Sequence, residues 1–238
     1  MAKKYGANSY MTEGEKIAGT VFFVIYLLVL PFATAPLLRL LGQLLGAPIS
    51  DSLGNTIYYY VLFAVTLIIF HKFIGRTTRL FLENAGGSCK VLLGGFIAFY
   101  GLNELVYRLT ATLIHTGMAN LNDITISAQI DDAPRTTILI VVLLAPFVEE
   151  TLFRGLVFGG IRGRSPVLAY VLSCALFALL HVWQYALVNQ DIRYLVLMVQ
   201  YLVPGLVLAW SFDRSGNLWT PILLHAGVNA LSVWSMLA

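Results

Sequence analysis

Two adjacent carboxylates stand in the middle of a long apolar stretch of this sequence. Glu149 and Glu150 are followed one helical turn later by Arg154, and the surrounding segment, Thr136–Ile161, is otherwise uncharged. A charge at bilayer depth costs roughly 2.5–3.5 kcal/mol on insertion scales, so such groups pair with one another or line a wet cavity. The cluster therefore predicts a functional site inside a membrane.

The spacing of these three residues divides them into a pair and a single group. Glu150 and Arg154 are four residues apart and share one helix face, so they are predicted to neutralise one another. Glu149 is rotated by about 100° around the same helix. We therefore expect the pair to order the site and Glu149 to be free for acid–base chemistry. A purely structural network of buried ion pairs is the alternative.

Two further apolar segments each carry a histidine. His181 follows Phe177 by four residues, so both side chains lie on one helix face. His225 and Asn229 have the same spacing. A carboxylate with an imidazole can activate water, and an imidazole with a carboxamide can donate hydrogen bonds to an oxyanion. Together these side chains indicate attack of water on an amide carbonyl, with hydrogen bonding between helices as the alternative for each histidine taken alone.

The composition is that of a membrane protein. Hydrophobic residues make up 58% of the chain and charged residues only 11%, whereas a soluble domain carries about 25% charged residues. No basic run indicates nucleic-acid binding. The two cysteines, Cys89 and Cys174, have neither metal-ligand nor disulfide spacing. The H-E-x-x-H pattern of zincins is absent from the sequence.

The apolar runs predict an all-α, polytopic transmembrane helical bundle. A helix that spans a bilayer needs ~20 mostly apolar residues. Seven segments meet this requirement: Ile17–Leu38, Ile57–Ile74, Val91–Ile114, Thr136–Ile161, Pro166–Trp183, Tyr194–Phe212 and Leu218–Leu237. An eighth, short helix is expected in Leu38–Leu45 or Trp183–Val188. We expect one integral membrane domain, with N-terminal helices over residues 1–135 and a catalytic core over residues 136–238.

The distribution of Lys and Arg predicts how the bundle is oriented. The segments on the side of the N-terminus carry ten of these residues, namely Lys3, Lys4, Lys16, Lys72, Arg76, Arg79, Lys90, Arg162, Arg164 and Arg214. The other side carries four, namely Arg39, Arg108, Arg135 and Arg193. Because cytoplasmic segments carry the excess of Lys and Arg, we expect a cytoplasmic N-terminus. The longest polar connections are expected over residues 71–90, inside, and 115–135, outside.

Three motifs in one order resemble a known family. The runs E-E-T-L-F-R-G at 149–155, F-A-L-L-H at 177–181 and H-A-G-V-N at 225–229 are similar to the signatures EExxxR, FxxxH and HxxxN of the CPBP intramembrane proteases. That family includes the type II CAAX prenyl endopeptidases and the bacterial Abi, or bacteriocin self-immunity, proteins. The resemblance covers about residue 136 to the C-terminus, and the first three spans match only in general character.

The resemblance implies a glutamic-type endopeptidase with its site within the bilayer. In such a protein one carboxylate and one imidazole activate the water, and an imidazole and a carboxamide stabilise the oxyanion. The resemblance thus implies a catalytic set and a set that orders the site: Glu149, His181, His225 and Asn229 for the first, and Glu150, Arg154 and Phe177 for the second.

Substrate and cofactor follow from the same resemblance. Its substrates would be peptides or membrane-associated proteins, lipidated tails included, and its location a bacterial plasma membrane. No cofactor is expected; a zinc-dependent version, with Glu149, His181 and His225 as ligands, is the alternative. A non-catalytic membrane partner, such as a bacteriocin immunity protein or a scaffold for a sensor kinase, is a second function. A proton-coupled transporter is a third, disfavoured because the two halves of the chain show no repeat.

Overall fold

The computed structural model of the chain describes residues 11–113 and 120–238. This part of the chain is helical apart from short connections, and the predicted all-α fold is confirmed. The predicted residues Lys3, Lys4 and Ile114 lie outside the described part. Nine helices follow one another there: α1 Glu13–Leu45, α2 Asp51–Glu83, α3 Ala85–Leu113, α4 Leu121–Asp132, α5 Pro134–Arg162, α6 Pro166–Leu180, α7 Trp183–Val188, α8 Ile192–Ser215 and α9 Trp219–Leu237.

Seven of these helices correspond to the predicted spans. Within the described residues, six are long and apolar enough to cross a membrane, namely α1, α2, α3, α5, α8 and α9. The seventh, α6, is apolar but has only 15 residues. Of the two places considered for an extra short helix, 38–45 continues α1, whereas Trp183–Val188 forms the separate helix α7.

Two polar connections are more helical than the sequence led us to expect. The inner one, 71–90, is almost entirely filled by the end of α2 and the start of α3. The outer one, 115–135, contains α4, which begins where the side-chain oxygen of Asn120 accepts hydrogen bonds from the backbone N–H groups of Asn122 and Asp123. The prediction missed these helices because caps, and not the edges of apolar runs, set where a helix begins and ends.

The first helix is fixed to a break in the second. Helical geometry is interrupted in α2 at Phe70, with φ −103° and ψ 16°. Near this break, the backbone N–H of Phe73 donates to Oε1 of Glu15 at 2.6 Å, and Arg76 donates to the other oxygen of the same carboxylate at 3.0 Å. Glu15 also completes a capping box with Thr12 at the start of α1. The break in α2 is therefore stabilised by a buried side chain of α1.

Polar contacts also join the helix ends that lie beside the start of α1. Nε of Arg162 donates to Asp213 at 2.7 Å, and the hydroxyl of Tyr170 donates to the same carboxylate at 3.2 Å, which links α5, α6 and α8. The side-chain amide of Asn217 donates to the hydroxyl of Ser88 at 2.9 Å and so adds the start of α3. These contacts hold the helix ends together at one end of the bundle.

Candidate active site

The helix that carries the two adjacent carboxylates is not a regular α-helix. In α5, the π-helical segments Ile140–Leu144 and Thr151–Phe158 flank the α-helical turns Ala145–Glu150. Such wide turns inside helices occur frequently at functional sites. Helix α5 also has the largest buried share of the six long spanning helices. The carboxylates are therefore enclosed by protein and not exposed to lipid.

Glu150 forms a fully buried cluster with a cation and an imidazole. Nη1 of Arg154 lies 3.1 Å from Oε1 of Glu150, and neither side chain is exposed. Nδ1 of His225 lies 2.9 Å from the same oxygen. The predicted pairing of Glu150 with Arg154 is thus present, and it extends across to α9. Paired charges with further hydrogen bonds are what a low-dielectric interior requires.

Arg154 joins three helices at the centre of the bundle. Its Nη2 donates to the backbone oxygen of Gly205 in α8 at 3.0 Å. Its guanidinium carbon stands 4.3 Å from the centre of the Phe177 ring of α6, a cation–π contact. Together with the bond to Glu150 on its own helix, these contacts fix α5, α6 and α8 around one side chain.

Glu149 has a different environment from its neighbour. It is buried, with 8% of its surface exposed, and it lines a cavity. Its Oε2 has no hydrogen-bond partner in the structure. A buried carboxylate oxygen without a partner is costly to a folded protein and needs a reason. Oε2 of Glu150 also lacks a partner, but Glu150 does not line the cavity and its Oε1 is held by Arg154 and His225. Of the two adjacent carboxylates, Glu149 is therefore the one that faces the cavity.

His181 is held by its backbone and by two rings. At the end of α6, its Nδ1 lies 2.8 Å from the backbone oxygen of Phe177. A carbonyl oxygen can only accept, so Nδ1 carries the hydrogen and the neutral ring has its lone pair on Nε2. The ring stacks on Tyr201, with centres 4.4 Å apart and planes at 24°, and contacts the ring of Phe177 at 4.7 Å. His181 thus has a defined orientation and tautomer.

Asn229 contacts the widened backbone of α5. Its side-chain nitrogen donates to the oxygen of Val141, in the first π-helical segment, at 2.8 Å. A carboxamide nitrogen has two hydrogens, so one remains for a group in the cavity. His225, one turn earlier on α9, uses Nδ1 for the bond to Glu150. Its Nε2 is left for a group in the cavity, which His225 also lines.

One cavity of about 680 Å³ collects the candidate catalytic side chains. All four line it: Glu149, His181, His225 and Asn229. Phe177 lines it as well, whereas Glu150 and Arg154 lie behind its wall. The structure thus brings together side chains from three helices that the sequence separates by 80 residues, on a cavity large enough for a stretch of peptide.

The structure does not assemble the alternative zinc site. Among the described residues, no group of three or more His, Cys, Asp or Glu side chains is placed to hold a metal ion. The set Glu149, His181 and His225 thus lacks the geometry of a three-ligand zinc centre in this structure.

Several polar side chains of the cavity had no motif to reveal them. Tyr201 stacks on His181, and its hydroxyl donates to Oδ1 of Asn120 at 2.9 Å. Tyr59, from α2, and Asn103, from α3, also form part of the cavity wall. Only a tertiary structure can place them, because their helices lie far from the motifs in sequence.

Helix α4 contributes the second acidic side chain of the cavity. Asp123 stands in its first turn and lines the cavity. Burial raises the pKa of Asp123 above its ordinary value. Lys and Arg are absent from the cavity wall as far as the described residues form it. The charges facing a bound molecule are therefore acidic.

Comparison with known proteins agrees with these motifs. Residues 132–231 match the family model described as Rce1-like, type II CAAX prenyl endopeptidase. An Escherichia coli protein called "Uncharacterized 24.3 kDa protein" is 31% identical over 97 residues, which are 41% of this chain and 42% of that protein. The UPF0177 protein YxdF of Lactococcus lactis subsp. lactis (strain IL1403) is 27% identical over 90 residues, 37% of this chain and 42% of that protein.

The matches therefore span less than half the length of these curated relatives. No solved structure matches the chain. Residues 132–231 contain all three motifs, and the resemblance predicted from them is confirmed for this segment. The apolar helices define an integral membrane protein, and residues 132–231 are similar to a family of endopeptidases. The division of the chain at residue 135 stays a prediction.

Proposed function

We propose that this protein is a glutamic-type intramembrane endopeptidase. The observation that carries the proposal is Glu149, a buried carboxylate that has an unpartnered oxygen and lines the cavity that His181, His225 and Asn229 also line. An acid–base group needs a free oxygen beside the place where water and substrate meet. Glu150 also has an oxygen without a partner, but it lies outside the cavity wall and its other oxygen is held by Arg154 and His225.

In this mechanism a cavity water attacks the carbonyl carbon of a peptide bond. Glu149, as carboxylate, takes a proton from the water as its oxygen bonds to that carbon. His181 accepts a hydrogen bond from the water at Nε2, the nitrogen left free by the bond from Nδ1 to Phe177. When the C–N bond breaks, the proton held by Glu149 passes to the departing amine, which leaves a carboxylic acid and an amine.

His225 and Asn229 stabilise the negative charge on the carbonyl oxygen. With Nδ1 donating to Glu150, the doubly protonated ring of His225 carries a donor at Nε2 as well. Arg154 lies 3.1 Å from the same oxygen of Glu150. The second N–H of Asn229 supplies another donor. Donors that are fixed before the reaction cost no reorganisation when the oxyanion forms.

The membrane arrangement follows the charge pattern. We propose that the N-terminus lies in the cytoplasm, because Lys and Arg concentrate at that end of the bundle. The substrate is a peptide or a membrane-associated protein that enters the cavity in an extended form. The family match supports a peptide substrate.

Cleavage of a quenched peptide library by the detergent-purified protein tests the function. We expect cleavage by the wild type that continues in a strong chelator. Cleavage that stops with chelator and returns with added zinc would contradict the glutamic mechanism and favour the zinc-dependent one. A stable protein that cleaves nothing in the library, in detergent or in lipid vesicles, would contradict the endopeptidase and favour a binding-only immunity protein or scaffold.

A further inference from the structure

The cavity lies at one end of the bundle. Its wall is built from the start of α2, the end of α3, the end of α6 and the end of α9, with Asn55, Asn103, His181 and Ser235 as examples. We call this end the mouth face. The opposite end, which contains the start of α1 and the polar contacts of Arg162 and Asp213, is called the basic face.

Charge differs sharply between the two faces. Among the described residues, the basic face carries eight Lys and Arg residues, namely Lys16, Lys72, Arg76, Arg79, Lys90, Arg162, Arg164 and Arg214. The mouth face carries four, namely Arg39, Arg108, Arg135 and Arg193, against six acidic residues, namely Asp51, Glu104, Asp123, Asp131, Asp132 and Asp191. Segments rich in Lys and Arg stay in the cytoplasm, and acidic residues contribute little to this rule. The basic face is therefore the cytoplasmic one.

The two shortest described helices, α4 and α7, lie at the mouth face. Helix α4 lines the cavity, and its Thr125 hydroxyl lies 2.9 Å from the hydroxyl of Tyr185 in α7. Asn120, at the start of α4, accepts a hydrogen bond from Tyr201. Two short helices therefore border the mouth, in addition to the ends of the spanning helices.

From these two observations we propose that the cavity opens to the non-cytoplasmic side of the membrane. Its substrate is then a polypeptide segment presented from that side, either a secreted peptide or the external juxtamembrane part of a membrane protein. The substrate class rests on the proposed endopeptidase, whereas the direction of opening does not. A tail held in the cytoplasm would lie at the basic face, away from the mouth.

The native Cys89 can report on which side of the membrane the basic face lies. Cys89 is exposed and follows the start of α3 at the basic face, beside Lys90, whereas Cys174 is buried. A membrane-impermeant maleimide should therefore label the wild type in inverted membrane vesicles and not in intact spheroplasts. Labelling in detergent gives the total for each variant.

The mouth is tested with new cysteines in the Cys89→Ser background. Ser235→Cys places a thiol on the cavity wall, and Asn189→Cys places one in the exposed loop after α7. Both should label in intact spheroplasts and be protected in inverted vesicles. Two positions are used so that the result does not depend on the behaviour of one variant.

Opposite labelling overturns the proposal. If Ser235→Cys and Asn189→Cys label only in inverted vesicles, the cavity faces the cytoplasm. Labelling of both faces from one side would also overturn it, because the two ends would not be separated by a membrane. External labelling of the mouth by a protein that cleaves no peptide would uphold the direction of opening while contradicting the proposed function. The two failures are therefore distinguishable.

Discussion

Nδ1 of His225 donates a hydrogen bond to Oε1 of Glu150 over 2.9 Å, and this contact joins α9 to α5 at the back of the cavity. The same carboxylate holds Arg154, which in turn reaches α6 and α8. The carboxylate of Glu150 thus contacts both Arg154 and His225, whereas Glu149, one residue earlier, faces the cavity. Two adjacent residues of one type therefore have separable roles.

Replacing Glu150 by Gln should lower the free energy of unfolding by about 3–5 kcal/mol, because the buried guanidinium of Arg154 loses its counter-charge. Arg154→Met alone should be similarly destabilising. The double variant should recover most of the loss, since it leaves no unpaired buried charge. Thermal unfolding of the four proteins in one detergent measures this coupling.

The exposed pair Asp191 and Arg193 is the matched control for this cycle. Asp191→Asn should leave the unfolding midpoint unchanged, since exposed ion pairs are screened by water. Additive losses in the double variant Glu150→Gln with Arg154→Met would show that the two residues stabilise the bundle independently, against our account.

Tyr201 should act as a positioning residue for His181. Tyr201→Phe keeps the ring that stacks on the imidazole and removes only the hydroxyl that bonds to Asn120, so kcat should stay within about twofold of the wild type. Tyr201→Leu removes the stacking surface, and kcat should fall between about tenfold and a hundredfold as the imidazole loses its orientation. Steady-state kinetics on one peptide would separate these effects. Equal kcat values for Tyr201→Phe and Tyr201→Leu would contradict the claim that Tyr201 orients the imidazole of His181.

Asp123 should give the cavity a preference for cationic peptides. Peptides with Lys or Arg near the scissile bond should be cleaved about fivefold better than matched acidic ones, which corresponds to roughly 1 kcal/mol. Asp123→Asn should abolish the difference, and added salt should weaken it. Because burial raises the pKa of Asp123, the preference should be present at neutral pH and disappear on acidification through that raised value. If the preference for cationic peptides persisted in Asp123→Asn, a group other than Asp123 would cause it.

Gly205 allows α8 to approach α6 closely. A Cβ at this position would lie 3.3 Å from Cα of Cys174, so Gly205→Ala must push the helices apart and disturb the oxygen that Arg154 contacts. We expect a loss of about 1–3 kcal/mol in stability, with a loss of activity. Gly75→Ala, where a Cβ meets open space, is the control and should be neutral or slightly stabilising. Equal midpoints for the two variants would contradict tight packing at Gly205.

Much of the fold and of the candidate site could be predicted from residue type and spacing. Apolar length alone located the helices that correspond to the seven predicted spans, six of which are long enough to cross a membrane, because a bilayer imposes the same requirement on every spanning helix. The i, i+4 spacing of Glu150 and Arg154 was sufficient to predict their contact, since the helix itself brings them together. The separation of Glu149 from that pair follows from the same geometry.

The remainder depends on contacts between distant parts of the chain. The bond from His225 to Glu150 joins residues 75 positions apart, and no local rule specifies it. Helix α4 was missed because its sequence is polar and its start is defined by the capping residue Asn120. The stacking of Tyr201 on His181 likewise needs the packing of α8 against α6. Side chains of the cavity without a motif can be found only in three dimensions.

The central claim is that Glu149 is the catalytic carboxylate, and Glu149→Gln tests it most directly. Turnover and the unfolding midpoint of this variant should be measured beside the wild type on the best peptide of the library. We predict that kcat falls by about 10²–10⁴-fold, while the midpoint stays equal or rises, because a buried carboxylate with an unpartnered oxygen has been replaced by a neutral amide. Turnover within about twofold of the wild type, in a folded Glu149→Gln protein, would contradict the account.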